Sequence, residues 1–142
     1  MKFYRLFSVF LVVLFLHSCN GGNEIIGNWK LDGVNVEKAV ASVPDDNKDF
    51  VRKMINSAFE QLKGKLKLTF AKDGKFKIST PDQEGKINIQ NGTWSLSKDA
   101  KKLTTIVDEK NETIGVVEIT SNRLVLSMPS PGQSELHMTF VH

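Results

Sequence analysis

The sequence predicts an all-β fold with one inserted helix: eight antiparallel strands in up-and-down order, closed into a barrel, with the helix between strands 1 and 2. Three observations lead there. Beyond Glu24 apolar and polar residues alternate with a period of two over most of the chain. The polar breaks between these segments are only a few residues long, which suits antiparallel neighbours, whereas parallel strands need crossovers of a dozen residues or more. Only one segment has helical periodicity, so no layer of helices can cover a second sheet face, and closure removes the edges that an open sheet would expose.

The first strand spans 26–36. In the helix that follows, Phe50, Val51, Met54, Ile55, Ala58, Phe59 and Leu62 form one stripe, while Lys48, Arg52, Lys53, Asn56, Glu60 and Lys63 occupy the other face. Asp45 or Asp46 can cap its start, Asp49 adds negative charge to the first turn, and Gly64 suits the left-handed position that ends it. Strands then follow at 65–71, 75–80, 86–97, 101–107, 112–120, 123–128 and 135–141. Leu66, Leu68 and Phe70 alternate with lysines and Thr69, and Asp73-Gly74 carries the signal of a tight hairpin. In the fourth strand Ile87 and Ile89 share one parity and Trp94 and Leu96 the other. A bulge at Asn91-Gly92 would return both pairs to one face and bend the strand as closure requires.

The first residues read as a processing signal. Lys2 and Arg5 are positive, and Leu6 to Leu16 is apolar except for Ser8. At ~1.5 Å rise per residue such a run crosses only about half of a ~30 Å hydrocarbon layer, so export and cleavage are expected instead of a permanent span. Leu16-His17-Ser18-Cys19, with leucine at −3, a small residue at −1 and then cysteine, resembles the bacterial lipoprotein signal, apart from the bulky His17. That resemblance implies acylation of Cys19 and cleavage before it. A diacyl anchor with an added amide-linked chain, at ~0.8 kcal/mol per buried methylene, would hold the protein on a membrane. The expected organisation is a signal peptide over 1–18, the lipidated cysteine and a flexible tether over 19–23, and a barrel domain over 24–142. The expected address is the bacterial cell envelope, lipid-anchored at the outer membrane, periplasmic or surface-facing.

Composition narrows the function. Of 142 residues 40% are hydrophobic and 25% charged, with ten glycines and four prolines, which excludes disordered and fibrous classes. Lys2 and Arg5 leave with the signal and take the formal charge of +3 down by two. Nucleic acid then loses its case, since phosphate binding needs concentrated positive charge. Cys19 is the only cysteine, so no intramolecular disulfide forms.

Several motifs together resemble a family. Gly27-Asn28-Trp29-Lys30-Leu31 looks like the Gly-x-Trp opening of lipocalins. Leu68-Thr69-Phe70, Asp73-Gly74-Lys75-Phe76, Gly92-Thr93-Trp94-Ser95-Leu96 and Leu124-Val125-Leu126 are similar to small bacterial lipocalin-like lipoproteins of the calycin superfamily. The resemblance implies that Gly27 and Trp29 are structural, the indole closing the barrel's narrow end. It also implies an arginine stacked on that indole, for which Arg123 is the candidate. The Thr-Asp-Tyr signature and the helix after the last strand are absent. The helix lies instead where fatty-acid-binding proteins carry their helical lid.

Catalytic groups are scarce, so no enzyme, cofactor or metal is expected. His137 and His142 have opposite strand parity and make a poor metal pair. Glu118 shares parity with Ile114 and Val116; if those two face the lumen, so does its carboxylate, as a ligand-orienting group, but Val117 and Ile119 are equally apolar and would leave it exposed. Lysines crowd strands 2 and 3, either to meet anionic lipid head groups or simply to maintain solubility and discourage edge pairing. Leu68, Phe70, Phe76, Trp94, Leu126 and Met138 are expected to line the lumen, with Phe59 on the lid above them. The expected role is a membrane-anchored module that binds or sequesters a small hydrophobic or amphipathic ligand. The alternative is a filled barrel acting as an envelope structural or protein-interaction module. Eight strands enclose just enough room for either, and an interior cavity of ~300 Å³ or more would favour the ligand.

Overall fold

The computed structural model describes residues 21–129 and 134–142. The signal, Cys19, Asn20 and most of the expected turn at 129–133 lie outside the described residues. In chain order the elements are α1 (Gly21–Glu24), β1 (Gly27–Asn35), α2 (Val36–Val40), α3 (Asp45–Leu62), β2 (Lys67–Phe70), β3 (Lys75–Pro81), β4 (Ile87–Leu96), β5 (Lys102–Val107), β6 (Lys110–Ile119), β7 (Arg123–Pro129) and β8 (Glu135–Val141). The strands form a closed antiparallel barrel in sequence order. The ring closes where β1 meets β8, with Lys30 opposite Val141 and Leu31 opposite Phe140.

Alternation sends one face of each strand inward. Leu68 and Phe70 pair with Ile78 and Phe76, and these join Trp29, Leu31, Leu103, Ile114, Leu124, Leu126 and Phe140 in one core. Each such side chain contributes about 1.5–3 kcal/mol relative to exposure, which together offset the ordering of the chain.

The bends do not fall where parity suggested. β4 pairs with β3 and with β5 without a register shift, so the expected bulge at Asn91-Gly92 is absent. Ile87 and Ile89 consequently stay on the outer wall, 49% and 53% exposed. Gly92 serves another purpose: a Cβ there would overlap the carbonyl oxygen of Ile106 and lie 2.9 Å from Val107 Cγ2. The missing side chain lets β5 approach β4 closely, which is a second way to curl a barrel wall. The register shifts sit elsewhere, between Leu31 and Gly33 in β1 and between Val116 and Glu118 in β6.

Around the helix, α3 begins with Pro44 at the N-cap and no side-chain cap; Asp45 and Asp46 lie in its first turn, where the helix dipole favours them. Asp45 is engaged instead by Lys48 Nζ at 2.7 Å. Gly64, at φ +70°, ends the helix as expected. Two short helices were not foreseen. Asn35 caps α2 by accepting from the Lys38 amide at 3.0 Å, which ends the first strand one residue early. Gly21–Glu24 forms a single helical turn where a flexible tether was expected.

Up-and-down order gives the barrel two distinct ends. The start of β1, the end of β8 and the turns at 71–74, 97–101 and 120–122 lie at one end. The segment containing α2 and α3 and the turns at 82–86 and 108–109 lie at the other.

Candidate functional site

The end where β1 begins is sealed. Trp29 is fully buried, and its indole Nε1 donates to the carbonyl of Ile25, itself fully buried, at 2.7 Å. The ring of His142 stacks on the indole at 4.0 Å between centroids, and its Nδ1 donates to the Asn28 carbonyl at 2.9 Å. Gly27 is needed for this plug. Its φ is +143°, and a Cβ would come within 2.7 Å of the His142 ring. The stacking partner of Trp29 is thus His142 and not Arg123. Arg123 points outward from the wall and meets Glu118 at 3.4 Å.

Glu118 faces outward because of the β6 bulge. Val116 pairs with the inward Leu126, but one extra residue then places Glu118 opposite the outward Val125. A lumenal carboxylate is therefore not available. The extra residue, Val117, is 53% exposed.

Above the plug the core forms a floor. Phe70 contacts Phe76 at 5.1 Å and Trp94 edge-on at 5.5 Å, and Trp94 Nε1 donates to the Ala71 carbonyl at 2.9 Å, which ties β4 to the β2–β3 turn. Over it lies a cavity of about 120 Å³ lined by Leu68, Phe70, Phe76, Ile78, Leu103, Val107, Ile114, Leu126 and Met128, with Gln90 and Thr105 as its polar groups. Of the residues expected there, Leu68, Phe70, Phe76 and Leu126 border it. Trp94, Met138 and Phe59 do not; they pack against the surrounding core. Gln90 and Thr105 were missed, since polar residues in strands read as solvent-facing; the inward parity of Gly92 and Trp94 is the signal that could have found Gln90.

The opposite end is the mouth. α3 buries no residue completely. Phe59 and Leu62, near its C-terminus, pack against the core, and the Gly64 amide donates to the Leu31 carbonyl at 2.8 Å. Its N-terminal half is different: Phe50 is 70% and Met54 54% exposed. Val51 and Ile55 there are half-buried, and polar contacts add to the hold: Arg52 meets both oxygens of Glu37 on α2, at 2.9 and 3.1 Å, and Asp49 at 2.7 Å. These contacts hold the Glu37 carboxyl below its ordinary range, chiefly through the hydrogen bond from Arg52. α2 in turn lies on β8, with Lys38 3.5 Å from Glu135.

A groove of about 560 Å³ lies outside the barrel, on the outer wall, bordered by α2, Glu118, Arg123, Val125, His137 and Thr139. Glu118 and His137 share it, but each already has a partner: Arg123 pairs with Glu118, and the Glu135 carboxylate lies 3.2 Å from His137 Nε2 in hydrogen-bond contact. Among the described residues no three His, Cys, Asp or Glu side chains gather to hold a metal.

A closed eight-stranded meander with a tryptophan-plugged end, an apolar lumen and a helix at its mouth defines the class of up-and-down β-barrels. Residues 25–126 match the lipocalin-like domain, and the chain belongs to that family. A lipocalin-like protein from Bacteroides uniformis superposes with a TM-score of 0.53 at 14% identity, over 83% of this chain and 97% of that one. An uncharacterized protein from Bacteroides eggerthii gives 0.48 at 14% identity, over 82% and 97%. A bovine lipocalin allergen gives 0.43 at 10% identity, over 84% and 73%. No curated protein matches the sequence.

Proposed function

We propose that this protein is a lipoprotein of the bacterial envelope, anchored at the outer membrane through acylated Cys19, that holds a slender hydrophobic or amphipathic molecule in its barrel. The observation that carries the binding reading is the unfilled apolar lumen beneath a helix whose stripe is only partly covered. At about 120 Å³ the space is near that of an engineered cavity that takes up benzene, ~150 Å³. It is smaller than the ~300 Å³ at which pockets for drug-sized ligands begin. The ligand class is therefore a single narrow chain or small ring entering end first. Its apolar tip would lie against Leu68, Phe76 and Ile78, and the remainder would lie along Phe59 and the open stripe of α3. Thr105, the buried polar residue of the lining, offers the group that would orient it.

The small volume also favours the second reading, a filled barrel that serves as an envelope structural or protein-interaction module. Native mass spectrometry decides between them. The described residues close the ring by themselves, so the domain from Asn20 onward can be purified without detergent. A co-purifying lipid-like mass is expected, and it should be lost in Val107→Trp, which fills the lumen. An unliganded mass, still unchanged after incubation with a fatty acid, would favour the filled barrel. The anchor is tested separately: Cys19→Ala should release the protein from membranes, and unchanged retention and mass would refute acylation.

A further inference from the structure

We infer that the sealed end of the barrel is the surface this protein turns toward an anionic lipid bilayer, so that the mouth points away from it. The basis is an uneven distribution of charge along the barrel axis. The sealed-end turns and the residues beside them carry Lys72, Lys75, Lys98, Lys101, Lys102 and Arg123, against Glu24, Asp73, Asp99 and Glu118. Lys75 is paired with Asp73 at 3.1 Å and Arg123 with Glu118 at 3.4 Å. Asp99 is engaged by the Ser97 hydroxyl and the Lys101 amide. Lys72, Lys98 and Lys102 have no acidic partner among the described residues.

At the mouth the signs balance. The turns there and the segment before β2 carry Asp82, Glu84, Asp108 and Glu109 against Lys63, Lys65, Lys86 and Lys110. The charges of α2 and α3 are largely spent on each other, as in the pairs of Arg52 with Glu37 and of Lys48 with Asp45. An anionic surface within a Debye length, about 8–10 Å, therefore attracts the sealed end more strongly than the mouth.

The path of the chain agrees. Ile25 is fixed in the sealed end by its contact with Trp29, and Cys19 lies six residues upstream. Fully extended, that stretch reaches about 20 Å. An anchor at Cys19 would hold the lysine-bearing turns next to the bilayer, with the lid helix on the far side. Only this reach depends on acylation of Cys19; the charge argument does not.

The test uses the barrel domain from Asn20 onward, so no outcome passes through Cys19. It is sedimented with vesicles of phosphatidylcholine alone and of phosphatidylcholine mixed with phosphatidylglycerol. Binding is expected only to the mixed vesicles, and should vanish near 1 M salt, where the Debye length is ~3 Å. The triple change Lys98→Glu, Lys101→Glu and Lys102→Glu should weaken it on the order of 100-fold, with glutamine at the same positions acting in the same direction but less. Lys63→Glu with Lys65→Glu, at the mouth, should leave it unchanged. Equal binding to neutral vesicles would overturn the proposal. So would equal losses in the two variants, or binding to soluble polyphosphate without binding to either vesicle.

Discussion

The two ends of this barrel are built from similar residues and reach opposite results. At the sealed end Trp29, Ile25, Leu124 and Phe140 are completely buried, and the polar atoms of Trp29 and Trp94 each meet a backbone carbonyl. At the mouth the equally apolar Phe50 and Met54 remain in solvent, and exposed ion pairs do much of the holding. The difference teaches that hydrophobicity alone does not determine burial here. What determines it is whether closure of the ring brings a wall to both sides of the residue. The sealed end is where stability should be concentrated, and the mouth is where local opening should cost least.

The largest expected effect comes from Trp29→Ala, which should lower unfolding stability by about 3–5 kcal/mol in denaturant titration. Phe50→Ala should change it by less than about 0.5 kcal/mol; similar losses for the two would break the comparison. Gly92→Ala should cost about 1–3 kcal/mol, because its Cβ overlaps the Ile106 carbonyl and the two strands must separate. His142→Ala removes the ring stacked on Trp29 and a hydrogen bond to Asn28, a loss of about 1–2 kcal/mol that should also alter Trp29 fluorescence.

The smallest effect sharpens the mouth side. Glu37 has a depressed carboxyl, so its contact with Arg52 stabilises above the ordinary value of 4.5 and is lost as pH falls through and below it. Acidification through that range should increase hydrogen exchange in the first half of α3 before the barrel amides respond. Glu37→Gln should remove most of that difference between neutral and acid pH.

Much of this architecture was legible in the chain. The stripe of α3, the Asp73-Gly74 hairpin and the strand alternation are local patterns, and each produced the element expected of it. Gly27 and Trp29 were legible through the resemblance of Gly-x-Trp to the lipocalin opening, but the partner of the indole was not. His142 is far from Trp29 in sequence and meets it only because β8 closes on β1. The bulges were illegible for a related reason. In β4 the parity change between Ile89 and Trp94 suggested a slip, yet both isoleucines tolerate the outer wall. In β6 the run from Ile114 to Ile119 has apolar residues at both parities, so nothing local marks Val117 as the extra residue. Glu118 changed sides with it. The candidate site was legible only in part. Four of the expected lining residues border the cavity, whereas the place of Thr105 in its lining and the cavity's small volume depend on how far the wall curls.

The chain leaves the barrel where it entered. Ile25 and His142 both touch Trp29, so the first and last parts of the domain are within a few side chains of each other. A short linker could join them, and new ends could be opened at the exposed turn between Asp82 and Gly85 without cutting a strand. Such a circular permutant would keep the tryptophan plug and start and finish at the mouth, placing a fusion partner or surface attachment beside α3.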